Sequence, residues 1–239
     1  MSVRLYVDLP LHAGLETALP EAAARHVQVR RLQPGEQVWL FNGQGGAWQA
    51  VVLQMGRSQV QVRVERFDAT ERELPQPVTL ALGMPANERM DWLVEKATEL
   101  GVHAIWPLHT ERSVLRLDGE RAERKRQHWQ GIAAAAAGQC GRNRVPQIAP
   151  VQTLQALLAR PADGSRRLLL APDAKALPFA RVAAGASALL TLSGPEGGLT
   201  PDEEAAARAA GFQPTHLGAR VLRAETAPLA VLAWIGLNA

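Results

Sequence analysis

The stretch Leu192–Thr226, LSGPEGGLTPDEEAAARAAGFQPTHLGARVLRAET, holds two glycine-bearing loops, Gly194–Gly198 (GPEGG) and Leu217–Arg223 (LGARVLR), joined by one well-signalled helix. Just ahead of it, Ala188–Leu192 (ALLTL) is short and continuously apolar, the pattern of a strand buried on both faces. Three glycines within five residues follow its C-terminal end. Glycine reaches backbone conformations closed to other residues and lets a ligand approach the main chain. In open α/β sheets that end of the strands is where ligands bind. The helix is predicted from Thr200 as N-cap, Pro201 at the first helical position, Glu203 completing a capping box and Gly211 past the C-terminus. Pro214–Leu217 is predicted as a strand, and an apolar helix over Glu225–Leu237 closes the chain.

Neither G-x-G-x-x-G nor G-x-x-x-x-G-K-[ST] occurs, and Glu196 inside the first loop would repel a phosphate. A neutral or positively charged ligand held by main-chain groups fits better. The alternative, from residues alone, is that the loops are only tight turns.

The pair GPEGG-L-T…E and LG-A-R-V-LR-A-ETA resembles the signature of the RsmE family of 16S ribosomal RNA uridine N3-methyltransferases, which use S-adenosyl-L-methionine and belong to the SPOUT, or α/β-knot, class. Glu99–Gly101 with Pro107, Glu111–Ser113 (ERS) and Gln139–Pro146 (QCGRNRVP) match in the same order, so the resemblance covers nearly the whole chain. Ala224 departs from it, since the family often has threonine there. The resemblance implies a PUA-like β-barrel RNA-binding domain followed by a methyltransferase domain with a C-terminal trefoil knot. It also implies 16S ribosomal RNA within the 30S subunit as partner, and a homodimer.

The chain has 239 residues, enough for a sizeable core in one large or two small domains. No apolar run approaches the roughly 20 residues that span a membrane. The opening MSVRLYVDLP lacks the apolar segment of a secretory signal, so a cytoplasmic location is the expectation. The single cysteine, Cys140, excludes an internal disulfide and is too little for a structural zinc site; no metal is expected. The net charge of +3 is compatible with an anionic partner.

Residues 1–70 read as a small β-rich domain. Strands are predicted over Arg4–Asp8, Gln37–Phe41, Ala47–Leu53 and Gln59–Glu65, with a helix over Glu21–Arg31 and a turn at Asn42-Gly43. Short strands with glycine turns suggest a barrel. Arg25, Arg30 and Arg31 are RNA-contact candidates once the resemblance is granted; otherwise they form a solvated face. Residues 71–77, within the charged, proline-bearing run Asp68–Pro77, read as the linker. Residues 78–239 then alternate strand and helix: Val78–Gly83, a helix around Met90–Leu100, His103–Pro107, a long helix over Asp118–Gly138, and strands at Arg167–Ala171 and Ala188–Leu192. This implies a mostly parallel sheet covered on both sides. Physics alone predicts an unknotted doubly wound domain; the resemblance replaces that with the knot.

By resemblance, S-adenosylmethionine lies among three loops, with Leu170, Leu192, Gly194, Glu196, Gly197, Gly198, Leu217, Gly218, Val221, Leu222 and Arg223 as its binding residues. Main-chain groups of Leu217, Val221 and Leu222 can hydrogen-bond an adenine edge. Glu196 can bond ribose hydroxyls, offset the sulfonium charge, or favour the following helix dipole. Arg142 and Asn143 are the catalytic candidates. Arginine stays protonated and so stabilises charge on the uracil oxygens, or clamps a phosphate, while asparagine orients the base edge. A structural arginine making salt bridges is the alternative. Gln139 and Arg144 join the RNA-contact set. N3 lies on the Watson–Crick edge, so the target must be unpaired or splayed out. Two other readings stay open: a SPOUT enzyme acting on a different nucleotide, and a non-catalytic RNA-binding assembly factor.

Overall fold

A computed structural model describes residues 3–56, 59–173 and 175–238, the side chain of Asn87 excepted. The chain divides into two compact units. One comprises residues 1–73 with 134–145, the other 74–133 with 146–239.

In the first unit, β1 (Val3–Tyr6), β2 (Glu16–Ala18), α1 (Glu21–Val29), β3 (Gln37–Phe41), β4 (Ala47–Met55) and β5 (Val60–Asp68) build a five-stranded sheet in the order β1-β3-β4-β5-β2. Only the β1–β3 pair is parallel. The alternation in β5 points Val60, Val62 and Val64 inward, where they join Leu5, Val38, Leu40, Ala50 and Val52. Helix α1 lays Ala23, Ala24 and Val27 on the same core. Its C-terminus is closed by Arg31 in the left-handed region at φ 55°, with the Arg31 N–H donating to the Gln28 carbonyl at 2.9 Å. The small β-domain expected from the strand pattern is thus built of five strands, mostly antiparallel, around one apolar core. The short strand β2 has no sequence signal strong enough to predict it.

Two boundaries differ from expectation. Residues 134–145 belong to the first unit although they follow 60 residues of the second. The alanines expected merely to favour helix have a packing role: Ala137 is fully buried against Phe41 and Ala47. A Cβ on Gly138 would stand 3.5 Å from the Phe41 ring. The supposed linker is also fastened down. Thr70, Glu71 and Glu73 each hold a group in residues 142–144, so this run is structure rather than spacer.

The second unit continues with β6 (Val78–Gly83), α2 (Asn87–Glu99), β7 (Ala104–His109), α3 (Gly119–Cys140, whose last turns lie in the first unit), β8 (Gln147–Ile148), β9 (Gln152–Thr153), α4 (Leu154–Leu158), β10 (Arg166–Leu170), β11 (Leu177–Pro178), α5 (Phe179–Ala183), β12 (Leu189–Ser193), α6 (Pro201–Ala209), β13 (Gln213–His216) and α7 (Thr226–Leu237). The sheet runs β11-β13-β10-β12-β6-β7-β8, with β9 also on β7, and every pairing is parallel. The central strands are buried and largely apolar: all five residues of β12 are buried, Thr191 and Ser193 included. The late strand β13 inserts between β10 and β11, both earlier in the chain. A plain succession of strand–helix units would add each strand at an edge, so this order departs from the simple doubly wound prediction. The capping box on α6 forms as read, with the Glu203 N–H donating to Thr200 Oγ1 at 3.2 Å and the Thr200 N–H to Glu203 Oε2 at 2.9 Å.

Helix α3 is pinned to α2 by one carboxylate. Asp91 accepts from the indole N–H of the fully buried Trp129 at 2.8 Å, and lies 3.0 Å from His128 Nε2 and 3.6 Å from Lys125 Nζ. Burial pushes the Asp91 carboxyl up, but the bonds from His128 and Trp129 and the charge of Lys125 outweigh it and hold the group below its ordinary value. A carboxyl depressed in the folded state contributes stability that is present above its unfolded pKa, near 4, and lost as pH falls through the folded value. Asp91→Asn should therefore lower the melting temperature clearly at pH 7 and by much less near pH 3. A loss of equal size at both values would refute the charge-based account.

No described helix is long and apolar enough to cross a membrane, and no group of three or more His, Cys, Asp or Glu among the described residues could hold a metal ion.

Candidate active site

The strands that precede the three expected ligand loops, β13, β10 and β12, are immediate neighbours and all parallel. Register places Leu169 beside Leu192 and Leu170 beside Thr215. The loops after Leu170, Ser193 and His216 therefore leave one edge of the sheet side by side. Sequence could place each loop after a strand, but not those strands together.

The GPEGG loop is a tight turn with a fixed internal geometry. The Gly198 N–H donates to the Pro195 carbonyl at 2.8 Å. A Cβ on Gly194 would stand 2.6 Å from both Gly198 C and Leu199 N, so only glycine fits there. Gly198, at φ 69°, is different: a Cβ would meet nothing within 4 Å, and its face of the loop is open. Gly83, ending β6, was not among the expected site residues, yet its Cβ would come within 2.5 Å of Pro195 Cδ. Arg112, within Glu111–Ser113, likewise carries no local signal of a site role. Its Nη1 donates to the Gly197 carbonyl at 2.8 Å and to the Leu199 carbonyl at 3.4 Å. Glu203 braces the same region, its Oε1 accepting from the Glu111 N–H at 2.8 Å.

In the second loop Gly218 has φ 104°, again with open space around a would-be Cβ, and its N–H donates to His216 Nδ1 at 3.0 Å. Among the described residues, the N–H and C=O groups of Val221 and Leu222 have no hydrogen-bond partner. The Val221 side chain is 81 % exposed, an apolar surface left uncovered next to unengaged backbone. That combination suits a flat ring with polar edges. Arg223 is exposed, and its carbonyl accepts from the N–H groups of Thr226 and Ala227 at 2.9 and 3.1 Å, starting α7. Leu192 is fully buried inside β12 between β10 and β6 and acts as core. Glu196 is already engaged: its Oε1 accepts from the Ala86 N–H at 3.0 Å and from Arg89 Nη1 at 3.2 Å.

In the first unit the expected RNA contacts separate from the expected catalytic pair. Arg25, Arg30 and Arg31 are exposed, and so are Gln139 and Arg144. Arg142 and Asn143 are 3 % and 2 % exposed. Arg142 forms a two-pronged ion pair with Glu73, its Nε donating to Oε1 at 3.0 Å and its Nη2 to Oε2. Asn143 donates to the Thr70 carbonyl at 2.6 Å and accepts from Arg4. Both side chains are thus buried and engaged within the first unit. Between them they present Arg144, whose backbone bridges to Gly43 and Gln44 and whose guanidinium lies 3.6 Å from Glu71. The salt-bridging alternative for Arg142 has its partner in Glu73, a carboxylate 69 positions away in the run read as linker.

A separate cleft of about 430 Å³ lies beside the start of α6, lined by His109, Glu111, Arg116, Thr153 and Asp202 among others. It contains none of the residues expected to bind ligand, and its mixed charges specify no one chemistry. The loops expected to hold the ligand converge instead where β13, β10 and β12 end side by side.

The RNA methyltransferase domain family matches residues 72–236, and the RNA methyltransferase PUA domain family matches residues 19–65. The chain is 34% identical to ribosomal RNA small subunit methyltransferase E of Bacillus subtilis, over 87% of this chain and 84% of that protein. It is also 34% identical to the protein of that name from Mycobacterium bovis, over 99% and 92%. The crystal structure of a ribosomal RNA small subunit methyltransferase E from Neisseria gonorrhoeae, bound to S-adenosyl methionine, superposes with a TM-score of 0.93 at 33% identity, covering 100% of this chain and 98% of that one. With the three-loop edge, the PUA domain and these likenesses over nearly its whole length, the chain belongs to the ribosomal RNA small subunit methyltransferase E family, of the SPOUT class.

Proposed function

We propose that this ribosomal RNA methyltransferase transfers the methyl group of S-adenosylmethionine to N3 of one unpaired uridine in 16S RNA of the small subunit. The observation that carries the reading is the convergence of GPEGG and LGARVLR on one sheet edge, with open glycines at 198 and 218 and unengaged backbone at Val221 and Leu222. These features fit the cofactor: main chain for an adenine edge, an apolar side chain for its face, and glycine where the remainder must lie close. When bound, S-adenosylmethionine supplies an electrophilic methyl group on a positively charged sulfur.

The chain's own residues shape and hold that place. Gly194 and Gly83 allow the first loop to close on itself, Arg112 ties down its carbonyls, and Arg223 anchors the second loop to α7. Arg25, Arg30, Arg31, Gln139 and Arg144 supply exposed cationic and polar groups for RNA. Arg142 and Asn143 act as positioning residues that fix the backbone presenting Arg144. As in the SPOUT class, the working form is a homodimer, and the site of action is the cytoplasm.

The deciding experiment incubates purified protein with labelled S-adenosylmethionine and 30S subunits lacking the modification, then digests the RNA and maps the product by mass spectrometry. Label at N3 of a single uridine in 16S RNA supports the reading. Label on another base would move the substrate while keeping the donor; no label despite donor binding would overturn the substrate assignment. A narrower expectation concerns Arg112. Arg112→Ala removes two hydrogen bonds to loop carbonyls and should weaken donor binding by roughly tenfold, the equivalent of about 1.4 kcal/mol. Calorimetric titration showing unchanged affinity would remove Arg112 from the site.

A further inference from the structure

Three charged side chains from separate elements meet at the ligand edge of the sheet. Glu196 sits in the loop after β12, Arg89 in the first turn of α2 after the neighbouring strand β6, and Glu225 just before α7. Arg89 joins the other two, with Nη1 3.2 Å from Glu196 Oε1 and Nε 4.0 Å from Glu225 Oε1. The Glu225 side chain is only 9% exposed. Its second oxygen, Oε2, is buried without a hydrogen-bond partner among the described residues.

Buried carboxylate oxygens in folded proteins almost always have a donor. The obvious internal source does not serve: Glu225 precedes α7 yet makes no side-chain bond to the helix's first N–H groups. Arg89 addresses the other oxygen, and only at the limit of an ion pair. Two carboxylates against one guanidinium leave the cluster with a net negative charge. The cluster thus forms a negative pole at this end of the sheet.

We propose that Glu225, linked through Arg89 to Glu196, reads the positive charge of the methyl donor and so favours S-adenosylmethionine over its demethylated product. This rests on the cofactor reading above. In the reaction the carbon–sulfur bond breaks with its electron pair left on sulfur, a carbon–N3 bond forms, and the N3 proton passes to water. The cofactor thereby loses one positive charge while its shape changes by one methyl group. A net-negative pole at the site holds the donor and releases the product, which limits product inhibition. Arg89 sets the strength of that pole by neutralising part of it.

The test is calorimetric titration of the full-length protein with S-adenosylmethionine and, separately, S-adenosylhomocysteine. The wild type should prefer the charged donor by roughly tenfold, the effect of a single charge pair several ångströms apart in a partly screened site. Glu225→Gln should cut that preference to about twofold, mainly by weakening donor binding, while Glu225→Asp should retain most of it. Arg89→Met should increase the preference, because two carboxylates then act with no counter-charge; a merely structural Arg89 would weaken both ligands alike. An unchanged ratio in Glu225→Gln with both ligands still bound would overturn the proposal. If Glu225→Gln does not fold, a flat or reduced ratio in Arg89→Met overturns it instead. Failure of the wild type to bind either ligand would reject the cofactor reading itself, and this inference with it.

Discussion

Gly194→Ala is expected to abolish useful S-adenosylmethionine binding, weakening it by roughly 100-fold, and to reduce methyl transfer in step. The added Cβ would lie 2.6 Å from Gly198 C and Leu199 N and 2.8 Å from Gly198 Cα. All three are backbone atoms of the same turn, so no side chain can rotate away. The loop has to open, and opening it breaks the Gly198 N–H to Pro195 carbonyl bond and draws the Gly197 carbonyl from Arg112. Overpacking of this kind costs about 1–3 kcal/mol, and here the displaced atoms are those that shape the ligand edge. Gly211→Ala is the control. It puts a Cβ in open space at φ 86° past the end of α6, so it should lose about 1 kcal/mol of stability with donor affinity unchanged. Calorimetric titration and thermal melting on both variants separate the two effects. Wild-type affinity in Gly194→Ala would mean that the GPEGG turn does not form the cofactor site.

The contrast between those glycines also marks how far the sequence could be read. Local signals were legible: the capping box at Thr200 and Glu203, the left-handed closure at Gly211, the buried pattern of β12 and the alternation in β5 each rest on neighbouring residues. Strands of two or three residues, such as β2, β8, β9 and β11, escaped notice because so short a run carries no period. Long-range order was also hidden. Nothing near Gln213–His216 says that this strand enters between β10 and β11, and only the family resemblance pointed to a departure from plain winding. Within the site the sequence marked the ligand loops but not their braces. Arg112 and Gly83 act on Gly197 and Pro195 across long stretches of chain, and a residue's partner at that distance leaves no trace in its own neighbourhood. For the same reason nothing near Arg142 pointed to Glu73, its partner in the run read as linker.

That pair supports the second large effect, Glu73→Ala. Arg142 is 3 % exposed, whereas the Glu73 side chain is 24 % exposed. Removing the carboxylate takes a close charge partner from a buried guanidinium, and breaking a buried pair costs about 3–5 kcal/mol, with the lower end fitting a partner that water partly reaches. Arg142→Met is expected to be milder. It removes the buried charge altogether, and Glu73 can rehydrate from its exposed side. The two changes together should then cost less than their sum, because each disturbs the same interaction. Hydrogen exchange of residues in the first unit would report the loss directly, with β3 and the end of α3 deprotected most in Glu73→Ala. Activity supplies the other half of the argument. A positioning role predicts that both variants lose RNA affinity together, through displacement of Arg144, while S-adenosylmethionine binding stays near wild type. If Arg142→Met instead eliminated turnover at saturating RNA, with stability intact and Glu73→Ala still active, Arg142 would be acting on the base after all.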